Sequence, residues 1–196
     1  MFDSIIAYCW TRDRFGNVWP KIDFEKQPNF YDKIPIVKHQ DYFLASCMFF
    51  DKNKHDSFVL KHYKRWCNKH DHLAFFGKDR KRKVQVDGFE FKSKSIPMNL
   101  NIIPEVWFYF ESDNISEIKR LIDNHLVGIN KYVGHGYGFF DSYKIEQENK
   151  MDFRRDALRP IPLNGGSTLN KNIQYAAYRI PYHTTERVLC EVPECY

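Results

Sequence analysis

The amino-acid sequence predicts an α+β fold, because strand-type and helix-type apolar patterns alternate along most of the chain. Three observations carry that class. Residues 3–10 form a short, nearly continuous apolar run that reads as a first buried strand. Residues 106–110 (Val-Trp-Phe-Tyr-Phe) read as a second strand, and an amphipathic helix follows it. Its start is marked by Asn114-x-x-Glu117, the spacing of a capping box, and Ile115, Ile118, Leu121, Ile122 and Leu126 share one face. Residues 139–147 then alternate, with Phe139, Tyr143 and Ile145 on one side and Ser142, Lys144 and Glu146 on the other.

The remaining elements fill in between. Residues 11–40 hold three prolines and mixed charge and read as an irregular insertion. Residues 41–50 are apolar and predict a strand. Residues 58–68 place Val59, Tyr63 and Trp66 at helical spacing, with Lys61, Lys64 and Arg65 on the opposite face. Residues 81–86 and 89–92 predict a hairpin around the turn dipeptide Asp87-Gly88. The order fits a ferredoxin-like (RRM-like) β-α-β-β-α-β layout over residues 1–148, with insertions at about 11–40 and a basic hairpin at about 78–92. Prolines at 160, 162, 181 and 193 mark residues 149–196 as an extended C-terminal segment packing on that domain.

A hydrophobic share of 43% is enough for a core, and the net charge of +5 permits a polyanionic partner. Aromatics reach 17%; most fill the core, and any on the surface can stack on bases. Five cysteines without a C-x-x-C pair, and no signal peptide, predict a reducing, cytoplasmic setting, with Cys9 and Cys47 as buried thiols. No apolar run is long enough to span a membrane.

Between the amphipathic helix and the alternating segment lies Gly128-Ile-Asn-Lys-Tyr-Val-Gly-His-Gly-Tyr-Gly138. Glycines 128, 134, 136 and 138 let the main chain take positive φ and approach another backbone closely, so exposed N–H groups can cradle a phosphate. Lys131 adds charge; Tyr132, His135 and Tyr137 add rings for stacking or hydrogen bonding. The segment lacks a Gly-Lys-Ser/Thr ending and so is no P-loop. Its G-x-G-x-G spacing before a strand also excludes a dinucleotide fingerprint. A glycine-rich turn without a ligand remains open on spacing alone.

Lys78, Arg80, Lys81, Arg82 and Lys83 place five cations in six residues, suited to tracking phosphates or simply to solvation. Arg154, Arg155 and Arg159 form a second cluster, suited to phosphate or to ion pairs holding the C-terminal segment to the core. Cys67, His70 and His72, with Cys190 and Cys195, are ligand types at a spacing that fits no familiar zinc site.

Residues 131–138 followed by Phe139-Phe140 resemble the glycine-rich loop of RAMP proteins of CRISPR systems. More narrowly, the chain resembles the small RAMP subunit of type IV effector complexes. Ser4-Ile-Ile-Ala-Tyr8 is similar to the family's opening strand, Tyr42-Phe-Leu-Ala-Ser46 to its YxxAS segment, and residues 80–86 to its basic strand. Arg159-Pro-Ile-Pro162 is similar to an RPIP element, and Ala177-Tyr-Arg-Ile-Pro-Tyr182 to a YRxPY element. No single piece is highly specific; their order carries the resemblance. Asn130 departs from it, standing where basic residues are common. The resemblance implies a ferredoxin-like RAMP domain without cofactor or catalytic residues. It implies binding of the crRNA 5′ handle, and docking to a repeated backbone subunit and a large subunit that together target DNA and its flanking motif. The RNA-contacting residues would be Gly128, Lys131, Tyr132, Gly134, His135, Gly136, Tyr137 and Gly138, with the two basic clusters. Two alternatives stay open: a metal-independent guide-RNA endoribonuclease using His135, and a RAMP-like scaffold or inhibitor that binds no RNA.

Overall fold

A computed structural model describes residues 1–16, 20, 30–54, 56–65, 94–129, 138–149, 151–153, 156, 158–163, 172–182 and 185–193. The fold is α+β with antiparallel sheets. In chain order the elements are α1 (Phe2–Phe15), β1 (Lys38–His39), β2 (Tyr42–Phe43), β3 (Asp56–Arg65), β4 (Lys94–Ile102), α2 (Ile115–His125), β5 (Ile161–Pro162), β6 (Ile173–Ala176) and β7 (Val188–Glu191). They belong to two compact units, Met1–Phe49 with Trp107–Tyr196, and Phe50–Val106.

Among its described residues the first unit is built on two helices. α1 replaces the strand expected over residues 3–10. Its apolar positions Phe2, Ile6, Cys9 and Trp10 recur at helical spacing, and all are buried. A short apolar run does not distinguish helix from strand by itself. Here the ends decide: Asp3 lies in the first turn, Arg12 and Arg14 lie in the last, and Gly16 (φ 63°) closes the helix, its N–H donating to Arg12 O at 2.8 Å. α2 forms as expected. The Asn114 side chain accepts from Glu117 N–H at 3.0 Å, while Asn114 N–H donates to Ser112 Oγ and Glu117 turns to Arg120. The cap is therefore one-sided rather than the reciprocal box.

Ile118, Leu121 and Ile122 of α2 join the α1 face, Ile34, Ile36, Phe43 and Ala45 in one core. Each such side chain contributes roughly 1.5–3 kcal/mol of burial. Phe2 stacks on Phe110 with centroids 4.6 Å apart.

Residues 41–50 and 106–110, expected as strands, pair with each other, but only through isolated antiparallel bridges, Ala45 with Phe110 and Phe49 with Trp107. The interruption is local. Ala45 N–H bonds back to Phe43 O, and Ser46 Oγ takes the Tyr109 N–H that a ladder carbonyl would otherwise receive. The alternating residues 139–147 likewise form no strand, only a bridge at Phe139. Ile145 alone of its apolar side packs on the core; Phe139 and Tyr143 are exposed.

The C-terminal segment builds a three-stranded antiparallel sheet, order β5-β7-β6. Ala176 of β6 and Cys190 of β7 are fully buried. Among the described residues no four-stranded βαββαβ sheet occurs.

In the second unit β3 pairs antiparallel with β4, with a bulge between Val59 and Lys61. The helix expected over residues 58–68 is thus a strand through Arg65. Val59 and Tyr63 fit helical spacing, but residues 56–65 have a partner in β4, whose sequence alternates Ile96, Met98, Leu100 and Ile102 with polar residues and proline. Inter-strand hydrogen bonding overrides the weaker local period. The expected hairpin at 81–92 lies outside the described residues. Among the described residues no helix is long and apolar enough to cross a membrane.

Candidate nucleic-acid interface

The glycine-rich segment leaves α2 two residues after its C-cap and returns to the same place. Gly128 and Phe139 form an antiparallel bridge, and Ile129 N–H donates to Gly138 O at 2.9 Å. Gly138 has φ 79°, the left-handed region that disfavours a side chain. Both ends of the segment are therefore pinned by main-chain hydrogen bonds. Lys131, Tyr132, Gly134, His135, Gly136 and Tyr137 lie outside the described residues.

Beside this base is an open cleft of about 350 Å³ between Ile122, Asp123 and Leu126 of α2 and residues 140–143. Tyr143 Oη donates to Asp123 Oδ1 at 2.6 Å. Burial first, then that carboxylate, push the Tyr143 phenol up to about 12. With Asp123 and Asp141 in its lining, the cleft disfavours phosphate and favours donor groups.

The last turn of α1 is joined to α2. Arg120 grips Asp13 with two hydrogen bonds of 2.9 and 2.8 Å and holds Glu117 at 2.8 Å, while His125 Nε2 sits 2.9 Å from Asp13 Oδ1. Arg120, and then His125, hold the Asp13 carboxyl well below the usual carboxylate range.

Arg159 corrects an expectation. As a candidate phosphate contact it would need to be exposed; it is 1% exposed, and the ion-pair alternative describes its place. Its Nη1 donates to the carbonyls of Phe43 and Ala45 and lies 3.4 Å from Asp3 Oδ2. Nη2 donates to Tyr178 O and to Tyr182 Oη, and Tyr182 Oη donates to Asp3 Oδ2 at 2.6 Å. The guanidinium also lies over the Tyr42 ring at 4.9 Å. Burial, then Asp3, raise the Tyr182 phenol well above its ordinary value, so it stays a donor. The RPIP-like and YRxPY-like segments thus meet at the first turn of α1, a convergence the separate segments do not reveal.

Lys78, Arg80, Lys81, Arg82, Lys83, Arg154 and Arg155 lie outside the described residues, as do Cys67, His70, His72 and Cys195. Cys190 is a buried thiol bonded to Ala176 O, pushed up to about 11 chiefly by burial. Cys9 and Cys47 are buried free thiols, as expected.

No family model matches the chain, and no curated protein matches it.

Proposed function

We propose that this protein is a non-catalytic crRNA-binding subunit of a type IV CRISPR ribonucleoprotein, holding the 5′ handle of the guide. In this reading the α+β fold is a RAMP domain of ferredoxin-like type. It docks a repeated backbone subunit and a large subunit and helps target DNA beside its flanking motif. The observation that carries the reading is the glycine-rich segment, pinned at Gly128 and Phe139 directly after α2. A pinned base shortens the search a glycine chain makes before closing on a phosphate. Lys131 supplies charge there, and Tyr132, His135 and Tyr137 supply stacking surfaces. The basic run Lys78–Lys83, in the stretch joining β3 to β4, adds cations for the phosphate backbone. α1 is helical where the resemblance implies an opening strand, so support rests on the loop and the basic run rather than on element order.

The test is RNA binding by fluorescence anisotropy at several salt concentrations, using an RNA with a repeat-derived 5′ handle. Lys131→Ala, and Lys81→Ala with Lys83→Ala, weaken binding and flatten the slope of log affinity against log salt by about one for each phosphate no longer neutralised. Unchanged affinity and slope in both variants overturn the reading.

A further inference from the structure

The cleft between α2 and residues 140–143 has no part in the RNA contacts proposed above. Ile122, Leu126 and Phe140 supply its apolar surface; Asp123, Asp141 and Tyr143 supply its polar surface. At about 350 Å³ it is of a size to take a small group or a single side chain. Tyr143 Oη donates to Asp123 Oδ1, which leaves Asp123 Oδ2 to accept elsewhere. Asp141 has no hydrogen-bond or ion-pair partner among the described residues. Both carboxylates are exposed.

Charge and apolar exposure supply two further observations. The chain as a whole is basic, at +5, yet residues 139–149 carry Asp141, Glu146 and Glu148 against Lys144 alone. The cations on the same two segments do not neutralise the cleft. Arg120 is taken up by Asp13 and Glu117, Lys144 by Glu146, and Lys119 makes no ion pair with Asp123 among the described residues. Val127 follows Leu126, and Phe139 precedes Phe140; they are 55% and 56% exposed. The bridge between Gly128 and Phe139 brings these two apolar side chains to one end of the cleft's two walls. Unneutralised carboxylates beside aromatic rings and an apolar border match what an arginine needs. Its fork of five donors serves carboxylates, its planar cation lies on ring faces, and its aliphatic stem covers apolar surface.

We infer that this cleft is a docking site for an arginine side chain of a partner protein, its guanidinium bonded to Asp123 and Asp141 and its apolar neighbours covering Val127 and Phe139. Charge complementarity selects the occupant: two carboxylates disfavour the phosphates of a nucleic acid and attract a cation. Arginine seated in a pocket with an apolar surround is a common anchor of protein interfaces. A free guanidinium compound would fill the cleft and leave Val127 and Phe139 bare, whereas a protein segment covers both. The site does not rest on the guide-RNA reading.

The experiment is an amide NMR titration of the full chain with three probes: N-acetylarginine methylamide, its neutral isostere N-acetylcitrulline methylamide, and the peptide acetyl-Leu-Arg-Leu-amide. The arginine compound shifts the amides of residues 122–126 and 140–143, and the citrulline compound does not. The peptide binds about tenfold more tightly than the arginine compound, and Val127→Ser with Phe139→Ser removes that gain. Asp141→Asn weakens both by about tenfold, the scale of one charge-assisted hydrogen bond. Asp141 is exposed, so this variant keeps the wild-type melting temperature. Equal shifts from the arginine and citrulline compounds, or shifts confined to other residues, overturn the site. A peptide that binds no more tightly than the arginine compound overturns the protein partner and assigns the cleft to a small guanidinium ligand. Displacement of the arginine compound from these amides by single-stranded oligouridine assigns it to nucleic acid and also overturns the proposal. Normal RNA binding by Lys131→Ala would sink the guide-RNA reading and leave each of these outcomes unchanged.

Discussion

Arg159 shows how one residue can read as a surface contact and act as an internal tie. Its neighbours in sequence are basic and proline-rich, which suggests a phosphate-binding segment. Its neighbours in space are Asp3, Tyr182, Tyr42 and three main-chain carbonyls. Burying a charge is tolerated only when it is paired and hydrogen-bonded, and this set supplies both, although Arg159 Nε stays without a hydrogen-bond partner. Removing one member leaves the other charge buried. Arg159→Met is therefore expected to lower unfolding free energy by about 3–5 kcal/mol in urea titration. Adding Asp3→Asn to it recovers part of that loss, because the orphaned carboxylate is gone. Simple addition of the two single losses would contradict the tie. Nothing in the sequence near Asp3 announces this role, since Arg159 and Tyr182 lie more than 150 residues away. The buried thiols Cys9 and Cys47, by contrast, are legible from apolar neighbours alone.

At the scale of elements, α2 is legible because its information is local: a capping asparagine, then apolar residues at three- and four-residue spacing. For α1 and β3 the local pattern suggests in each case the other's conformation. In α1 the helical period is present but compressed into an apolar run, and the decisive cues, Asp3, Arg12, Arg14 and Gly16, sit at its margins. In β3 the helical spacing of Val59 and Tyr63 is a coincidence. The alternation in β4, residues 96, 98, 100 and 102, is the better indicator, and it requires reading two segments together. The strands expected at 41–50 and 106–110 do lie side by side, but Ser46 diverts a ladder hydrogen bond. The two helices are also coupled electrostatically through Asp13, Arg120 and His125. The Asp13 pKa is lowered in the folded protein, from an ordinary value of about 3.9. A lowered folded pKa means that its contribution to stability is present above about pH 4 and is lost as pH falls further. Asp13→Asn is expected to lower the melting temperature at pH 7 and to flatten its decline below about pH 4. Because these side chains are partly exposed, the effect shrinks in high salt. Melting curves from pH 2 to 7 check this, and an acid limb identical to wild type would contradict it.

For the whole molecule, composition and pattern suffice for the class, α+β, but not for the sheet arrangement. Among the described residues the sheets hold two, two and three strands, and a pairing such as β5 with β7, two residues long between segments far apart in the chain, leaves little trace in any single window. The candidate interface is legible in the same uneven way. Glycine spacing locates the loop, and the structure pins its two ends. The central claim concerns the whole particle: a protein that holds the 5′ handle of a guide RNA. Sequencing the RNA that stays bound to the purified chain, after washing at moderate salt, tests it most directly. The account predicts RNAs that share one repeat-derived 5′ segment, protected from nuclease, and their disappearance with Lys131→Ala. Recovery of no RNA, or of RNA with no common 5′ segment, would contradict it.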